Sequence, residues 1–183
     1  MATGERVRAG TVPPLADGFS ARPETVSAVD SALIPGAVVA LVPGPMTGGG
    51  AGDWPKTCGK TQVAVSYAEW LWQSDRVDVL VWAAATSRAS VLSGYVEAAV
   101  TAIWADPADD AEAIAGRFLG WLAETTRPWL VVLDDLSDMD VLEGLRPAGP
   151  AGRVLITTRD PAAVPAELRG LALPVGAFSQ RER

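Results

Sequence analysis

Three short stretches of this chain carry residue types that can handle a phosphate chain and a divalent cation. The first is Cys58-Gly59-Lys60-Thr61. A bound phosphate chain needs backbone N–H donors, the positive end of a helix, a cation and a hydroxyl for the metal. Gly59, Lys60 and Thr61 at a helix start supply all four, with Lys60 as the point charge and Thr61 as a Mg²⁺ ligand. The same tripeptide also arises by chance in loops. The glycine that usually opens such a cradle, five places before Gly59, is Trp54 here, and Gly52 stands two places too early.

The second stretch is Asp134-Asp135, directly after the apolar run Trp129 to Leu133. Two carboxylates leaving a buried strand are costly unless paired. A magnesium ion is a natural counter-charge: Asp134 would hold it, and Asp135 would orient or deprotonate a water. The alternative is a strand end followed by a capping aspartate. The third stretch is Thr157-Thr158-Arg159, where a strand-end arginine can offer its planar fork to a phosphate oxygen and a threonine hydroxyl can sense the same group. Alone it could equally be a surface arginine after two β-favouring threonines.

These residues need elements that bring them together. The run Ala37–Val42 has strand length and is apolar throughout. Beyond it, 43–59 is a Gly- and Pro-rich loop. Val63, Tyr67, Trp70 and Leu71 then recur at i, i+4, i+7 and i+8, one face of a helix. Strands are expected at Val79–Trp82, Trp129–Leu133, Val154–Ile156 and, more weakly, Leu171–Val175. Helices are expected at 87–104 (Val91, Tyr95, Ile103), through Ile114, Phe118, Trp121 and Leu122, and in a short piece at 138–145. Ahead of them all, 1–18 reads as an extended arm, and Val26, Val29 and Leu33 follow Pro23 as an amphipathic helix. Strands alternating with helices predict βαβ units and a parallel sheet covered on both faces. Ligands of such sheets bind outside the carboxyl ends of the strands, which is where all three stretches fall.

Composition narrows the chemistry further. At 183 residues, 49% hydrophobic and 20% charged, the chain matches one globular domain with a substantial core. It has no histidine and one cysteine, Cys58, which excludes an internal disulfide, the usual structural zinc sites and histidine acid/base catalysis. A net charge of −7 argues against direct nucleic-acid binding. No apolar run approaches the ~20 residues that span a bilayer, and the start lacks a secretory layout, so a cytoplasmic, soluble protein is expected. Trp70, Trp72, Trp104, Trp121 and Trp129 are read as core or interface packing, with Trp70 or Trp72 facing outward because two residues apart on a helix cannot share a face.

In this order, the stretches resemble the nucleotide-binding core of the STAND class of P-loop NTPases, particularly the NB-ARC type of bacterial regulators. The resemblance rests on Gly59-Lys60-Thr61-Gln62 followed by Ala64, Tyr67 and Ala68, on Val81-Trp82, on Trp129 to Leu136 and on Thr157-Thr158-Arg159. The opening Val12 to Arg22 is similar to the segment that wraps the adenine in that family. What the resemblance implies is a three-layer α/β P-loop fold whose five-stranded parallel sheet has the order 5-1-4-3-2, counted from the strand at 37–42. It implies ATP or ADP with Mg²⁺ as the bound cofactor. Lys60 and Thr61 take the Walker A role, with Thr57, Cys58, Gly59 and Gln62 beside them. Asp134 and Asp135 take the Walker B role, Thr61 and Asp134 share the metal, and Arg159 is the sensor. Val12, Pro13, Phe19 and Arg22 are implied for base and ribose.

The expected layout is an arm, 1–22, near the base and a nucleotide-binding domain, 23–183, without the helical lid and winged-helix domain usual in the family. Lid contacts would then come from another domain or another copy of the chain. The implied activity is a signalling or transcriptional switch with slow ATP hydrolysis. The alternatives are a degenerate, non-catalytic nucleotide or scaffold module and, with less support, a small-molecule kinase. A kinase would need arginines over the phosphates, whereas Arg88, Arg117 and Arg127 are widely spaced beside the acidic run from Asp106 to Glu112.

Overall fold

The computed structural model describes residues 5–17, 19, 23–44, 59–164 and 166–176. Arg22, Thr57, Cys58 and most of the Gly- and Pro-rich loop lie outside the described residues. Six strands, β1 (Val7–Ala9), β2 (Val38–Pro43), β3 (Val79–Ala84), β4 (Trp129–Leu136), β5 (Gly152–Thr158) and β6 (Ala172–Val175), form one sheet in the order β1-β3-β4-β5-β2-β6. Every pairing is parallel. The five expected strands occupy the expected neighbour order, but the expectation of five is corrected to six. The extra strand comes from the arm: Val7 and Ala9 are buried while Arg8 between them is exposed, and the segment pairs with the outer edge of β3.

Helices α1 (Pro23–Ala32) and α2 (Lys60–Gln73) cover one face, and α3 (Arg88–Ala102) and α4 (Ala111–Glu124) cover the other. The strand pleat assigns side chains to these faces in turn. Leu130 and Val132 join Val63, Tyr67 and Leu71 on the α2 side, whereas Trp129, Val131 and Leu133 join Tyr95 and Phe118 on the other. Such two-sided burial is why β2, β4 and β5 read as unbroken apolar runs. Tyr67 donates to Asp30 at 3.1 Å and fastens α1 to α2, while Tyr95 donates to the Leu145 carbonyl at 3.0 Å. Burial raises both phenols above their usual range, and Asp30 adds to the effect on Tyr67.

Glycine permits two close approaches. Gly10 has φ +83°, and a Cβ there would lie 1.8 Å from the Trp82 carbonyl oxygen, so only glycine lets the arm leave β1 over the end of β3. A Cβ on Gly152 would sit inside the indole of Trp129, whose Nε1 donates to the Leu122 carbonyl at 3.0 Å. The short piece expected at 138–145 is a 3₁₀ turn over Met139–Leu142, capped by Asp138, and two further 3₁₀ turns at Pro161–Ala163 and Ala166–Leu171 lead into β6.

Candidate functional site

α2 starts at the carboxyl rim of the sheet. Gly59, at φ 69° and ψ 6°, turns the chain into the helix in a left-handed conformation, and among the described residues no side chain caps the N-terminus. Lys60 opens the helix and is buried, at 8% exposure. Gly59, Lys60 and Thr61 thus stand together at the start of α2.

Thr61 is joined to the acids. Its hydroxyl donates to Asp134 Oδ1 at 2.8 Å across a sequence separation of 73 residues. The pleat explains the meeting: Asp134 follows Leu130 and Val132 in alternation, on the α2 side of the sheet. Immediately afterwards the ladder breaks. Leu133 pairs with Ile156 and Leu136 with Thr158, so Asp134 and Asp135 together stand opposite Thr157. This is a β-bulge, a device that re-aims side chains beside functional sites. Asp135 absorbs it at φ 59°. The two acids, adjacent in sequence, thereby acquire different neighbours.

Thr157 binds the bulge together. Its Oγ1 donates to Asp134 Oδ1 at 2.6 Å and accepts from the Asp135 N–H at 2.8 Å. Arg159 meets Asp135 through a two-pronged ion pair, Nε to Oδ1 at 2.8 Å and a terminal nitrogen to Oδ2 at 3.0 Å. Arg159 remains 69% exposed there, so the pair is screened and its fork is open to competition from a stronger anion. Thr158 turns the other way, donating to the Leu136 carbonyl at 2.7 Å. A continuous polar chain therefore runs Thr61, Asp134, Thr157, Asp135, Arg159.

The arm closes over this rim. The side-chain amide of Gln62 accepts from Ala16 N–H at 2.6 Å and donates to the Pro14 carbonyl at 3.2 Å. Gln62 thus holds the arm beside the start of α2. Val12 and Phe19 pack, half buried, against the α1/α2 side. Pro13 takes another course and, with Gly10, Thr11, Trp82, Ser90 and Asp134 among others, lines an open cleft of about 590 Å³. At its other end the arm is anchored by Arg6, which pairs with Asp75 at 2.6 Å and lies 3.8 Å from the Trp72 ring centroid, and by Arg8, which pairs with Glu69. The Glu97 carboxylate accepts from Gly10 N–H at 2.9 Å.

Thr61 and Asp134 suit magnesium, which favours hard oxygen donors, takes one or two carboxylates from a protein and leaves its other positions to water and phosphate. Among the described residues no cluster of three or more His, Cys, Asp or Glu could form a cage for a metal of its own. Gln62 as an arm latch and Thr157 as the bridge between the acids are contacts that sequence reasoning did not specify. The polar side chain of Thr157 at the end of an otherwise apolar strand was the available signal for the second.

No protein-family model matches the sequence, and no curated protein does. Solved structures do. The Cdc6p protein of Pyrobaculum aerophilum superposes with a TM-score of 0.54 at 14% identity, covering 94% of this chain and 48% of its own. The ORC2 protein of Aeropyrum pernix, solved in ADPNP–ADP complexes, gives 0.53 at 16%, covering 87% and 47%. The chain spans about half the length of these structures. At such identities the likeness establishes the fold alone, a parallel-sheet α/β core. Among the described residues no helix is long and apolar enough to cross a membrane.

Proposed function

We propose that this chain is the nucleotide-binding core of a P-loop NTPase switch, binding ATP or ADP with Mg²⁺ at the start of α2 and hydrolysing ATP slowly. The observation that carries the reading is the 2.8 Å bond from Thr61 to Asp134, which joins the candidate phosphate-binding helix start to the candidate metal acid. The fold shared with a protein solved in ADPNP–ADP complexes supports it. The finer assignment, to the STAND class and its NB-ARC type, rests on the resemblance through Gly59-Lys60-Thr61-Gln62 and Thr157-Thr158-Arg159.

In this reading the first-turn N–H groups of α2 and the Lys60 ammonium hold the β- and γ-phosphates. Thr61 and Asp134 hold the metal, which when bound neutralises phosphate charge. Arg159 exchanges one anion for another. Without nucleotide its fork grips Asp135; a terminal phosphate competes for that fork and releases the Asp135 carboxylate to orient water and accept its proton. Hydrolysis returns Arg159 to Asp135, giving two arrangements that differ by one ion pair. Val12 and Phe19 flank the base from the arm, and Gln62 couples the arm to the phosphate end. With a net charge of −7, the partners are nucleotide and protein rather than nucleic acid.

One observation favours a second reading, a module that binds nucleotide without turnover: Trp54 replaces the glycine that usually opens the cradle. A kinase gains nothing from the arginines, since Arg88 is paired with Glu112 and Arg117 with Asp109, each at 2.8 Å. The test is calorimetric titration with ATP, with and without Mg²⁺, followed by phosphate release. Mg²⁺-dependent binding lost at least ~100-fold in Lys60→Ala supports the proposal. Equal affinity in the variant overturns the phosphate cradle, and tight binding without phosphate release selects the second reading.

A further inference from the structure

Asp134 has two sides along the sheet rim. Towards β5 it meets Thr157, and towards β3 it pairs in register with Ala84. On the β3 side the open cleft of about 590 Å³ lies between two walls. One wall is the arm, which passes close over the Trp82 carbonyl at Gly10 and continues through Thr11 and Pro13. The other is the first half of α3. The proposed nucleotide contacts do not use this space: they place the phosphates at the start of α2 and the base against Val12 and Phe19, on the α1/α2 side.

The sequence of α3 builds the cleft. Val91, Tyr95, Ala98 and Ala99 turn into the core, whereas Ser90, Ser93 and Glu97 recur at i, i+3 and i+7, one stripe of the helix, and line the cleft. Gly94 lets α3 lie against β3, since a Cβ there would stand 2.8 Å from the Ala83 methyl. Ala84 and Ala89 add only methyl groups to the lining. Glu97 is fixed in place by accepting the Gly10 N–H at 2.9 Å, which also ties the arm to α3. Two carboxylates, Glu97 and Asp134, therefore line the cleft with the hydroxyl residues Thr11, Ser90 and Ser93, and no lysine or arginine does. Among the described residues neither carboxylate is in an ion pair. An anion is repelled from such a lining, and an apolar molecule would strand its polar groups. An ammonium group can pair with a carboxylate there while hydroxyls on the same molecule exchange hydrogen bonds with serine and threonine.

We propose that this cleft is a second ligand site, for a small organic cation that carries hydroxyl groups, of the amino-alcohol or amino-sugar class. Its ammonium group pairs with Glu97, and its hydroxyls bond Thr11, Ser90 and Ser93. Asp134 belongs both to this lining and to the pair with Thr61, so an occupant bears on the acid proposed to hold the metal. Binding in the cleft itself needs no nucleotide, and the proposal stands or falls apart from the nucleotide reading.

The experiment titrates the full chain with glucosamine at about pH 6, where the amine is protonated, in the absence of nucleotide and divalent metal. Glucose and gluconate serve as the neutral and anionic counterparts, and backbone NMR signals are followed. Glucosamine is expected to shift the signals of 10–13, 82–84 and 89–97 to saturation, glucose to shift them far less, and gluconate to leave them unmoved. Glu97→Gln keeps an acceptor for the Gly10 N–H but loses the charge, and should weaken glucosamine binding about tenfold with the melting temperature unchanged. Ser93→Met fills the cleft from α3 with a good helix former and should abolish binding. The absence of a saturable shift, shifts by glucose or gluconate equal to those by glucosamine, or undiminished binding in either variant would each overturn the proposal.

Discussion

The two ends of α3 present opposite solutions to placing costly groups. At the carboxyl rim of the sheet, two aspartates leave a buried strand, yet each finds partners within the chain: Asp134 takes two hydroxyl donors, and Asp135 takes a two-pronged arginine. At the far end, Trp104 has a left-handed backbone and an indole that is 90% exposed. The first region is a network whose members satisfy one another within the chain. The second is a surface element whose indole is turned to solvent. Polar groups inside a fold must be satisfied internally, whereas an apolar group outside it need not be, so the two call for different perturbations.

The sharpest contrast is expected from Thr157→Val. It removes the donor to Asp134 and the acceptor for the Asp135 N–H in one step, and should cost about 1–3 kcal/mol of stability in chemical denaturation. Thr157→Ser should recover most of that loss. A valine variant as stable as the parent would mean that the network is not closed by this hydroxyl.

Alkaline titration gives a smaller effect, away from both ends. Burial holds the Tyr95 phenol above its ordinary value near 10, with Tyr67 raised alike. The unfolded chain therefore ionises first. The stabilisation is complete below about pH 10 and is lost as pH rises beyond it. Thermal melts between pH 8 and 11 should show a steeper alkaline fall in the parent than in Tyr95→Phe, and identical slopes would contradict the assignment.

Arg159→Gln should have the smallest effect on stability, below about 1 kcal/mol, because the arginine is largely exposed and its ion pair is screened. A loss of several kcal/mol in denaturant melts would make Arg159 a structural clamp and count against its exchange between Asp135 and phosphate.

Much of the fold could be read from pattern. The apolar runs at 37–42, 129–133 and 154–156 announced buried parallel strands, and Gly59-Lys60-Thr61 marked a helix start. β1 was missed because three residues are too few for periodicity, although the alternation of Arg6, Val7, Arg8 and Ala9 was visible. The bulge was beyond reach, since it depends on the register between two strands distant in sequence. It is what turns Asp134 to Thr61 and Asp135 to Arg159. Gln62 was legible as a polar residue at the helix start, but its bonds to Pro14 and Ala16 depend on where the arm crosses. Of the two places expected for Trp104, core or interface, the core is excluded for a local reason. The helical spacing continued through it, but the backbone turned left-handed there and carried the indole out of the packed layer.

The central claim is that Thr61 and Asp134 meet around a nucleotide-bound divalent cation. Mn²⁺ can replace Mg²⁺ as a paramagnetic probe, added together with ATP to isotope-labelled protein. Strong relaxation of the backbone signals of 60–62 and 134–135, with those of 100–110 unaffected, is the predicted result. Relaxation confined to the surface acids at 106–110, or none without regard to ATP, would contradict the account.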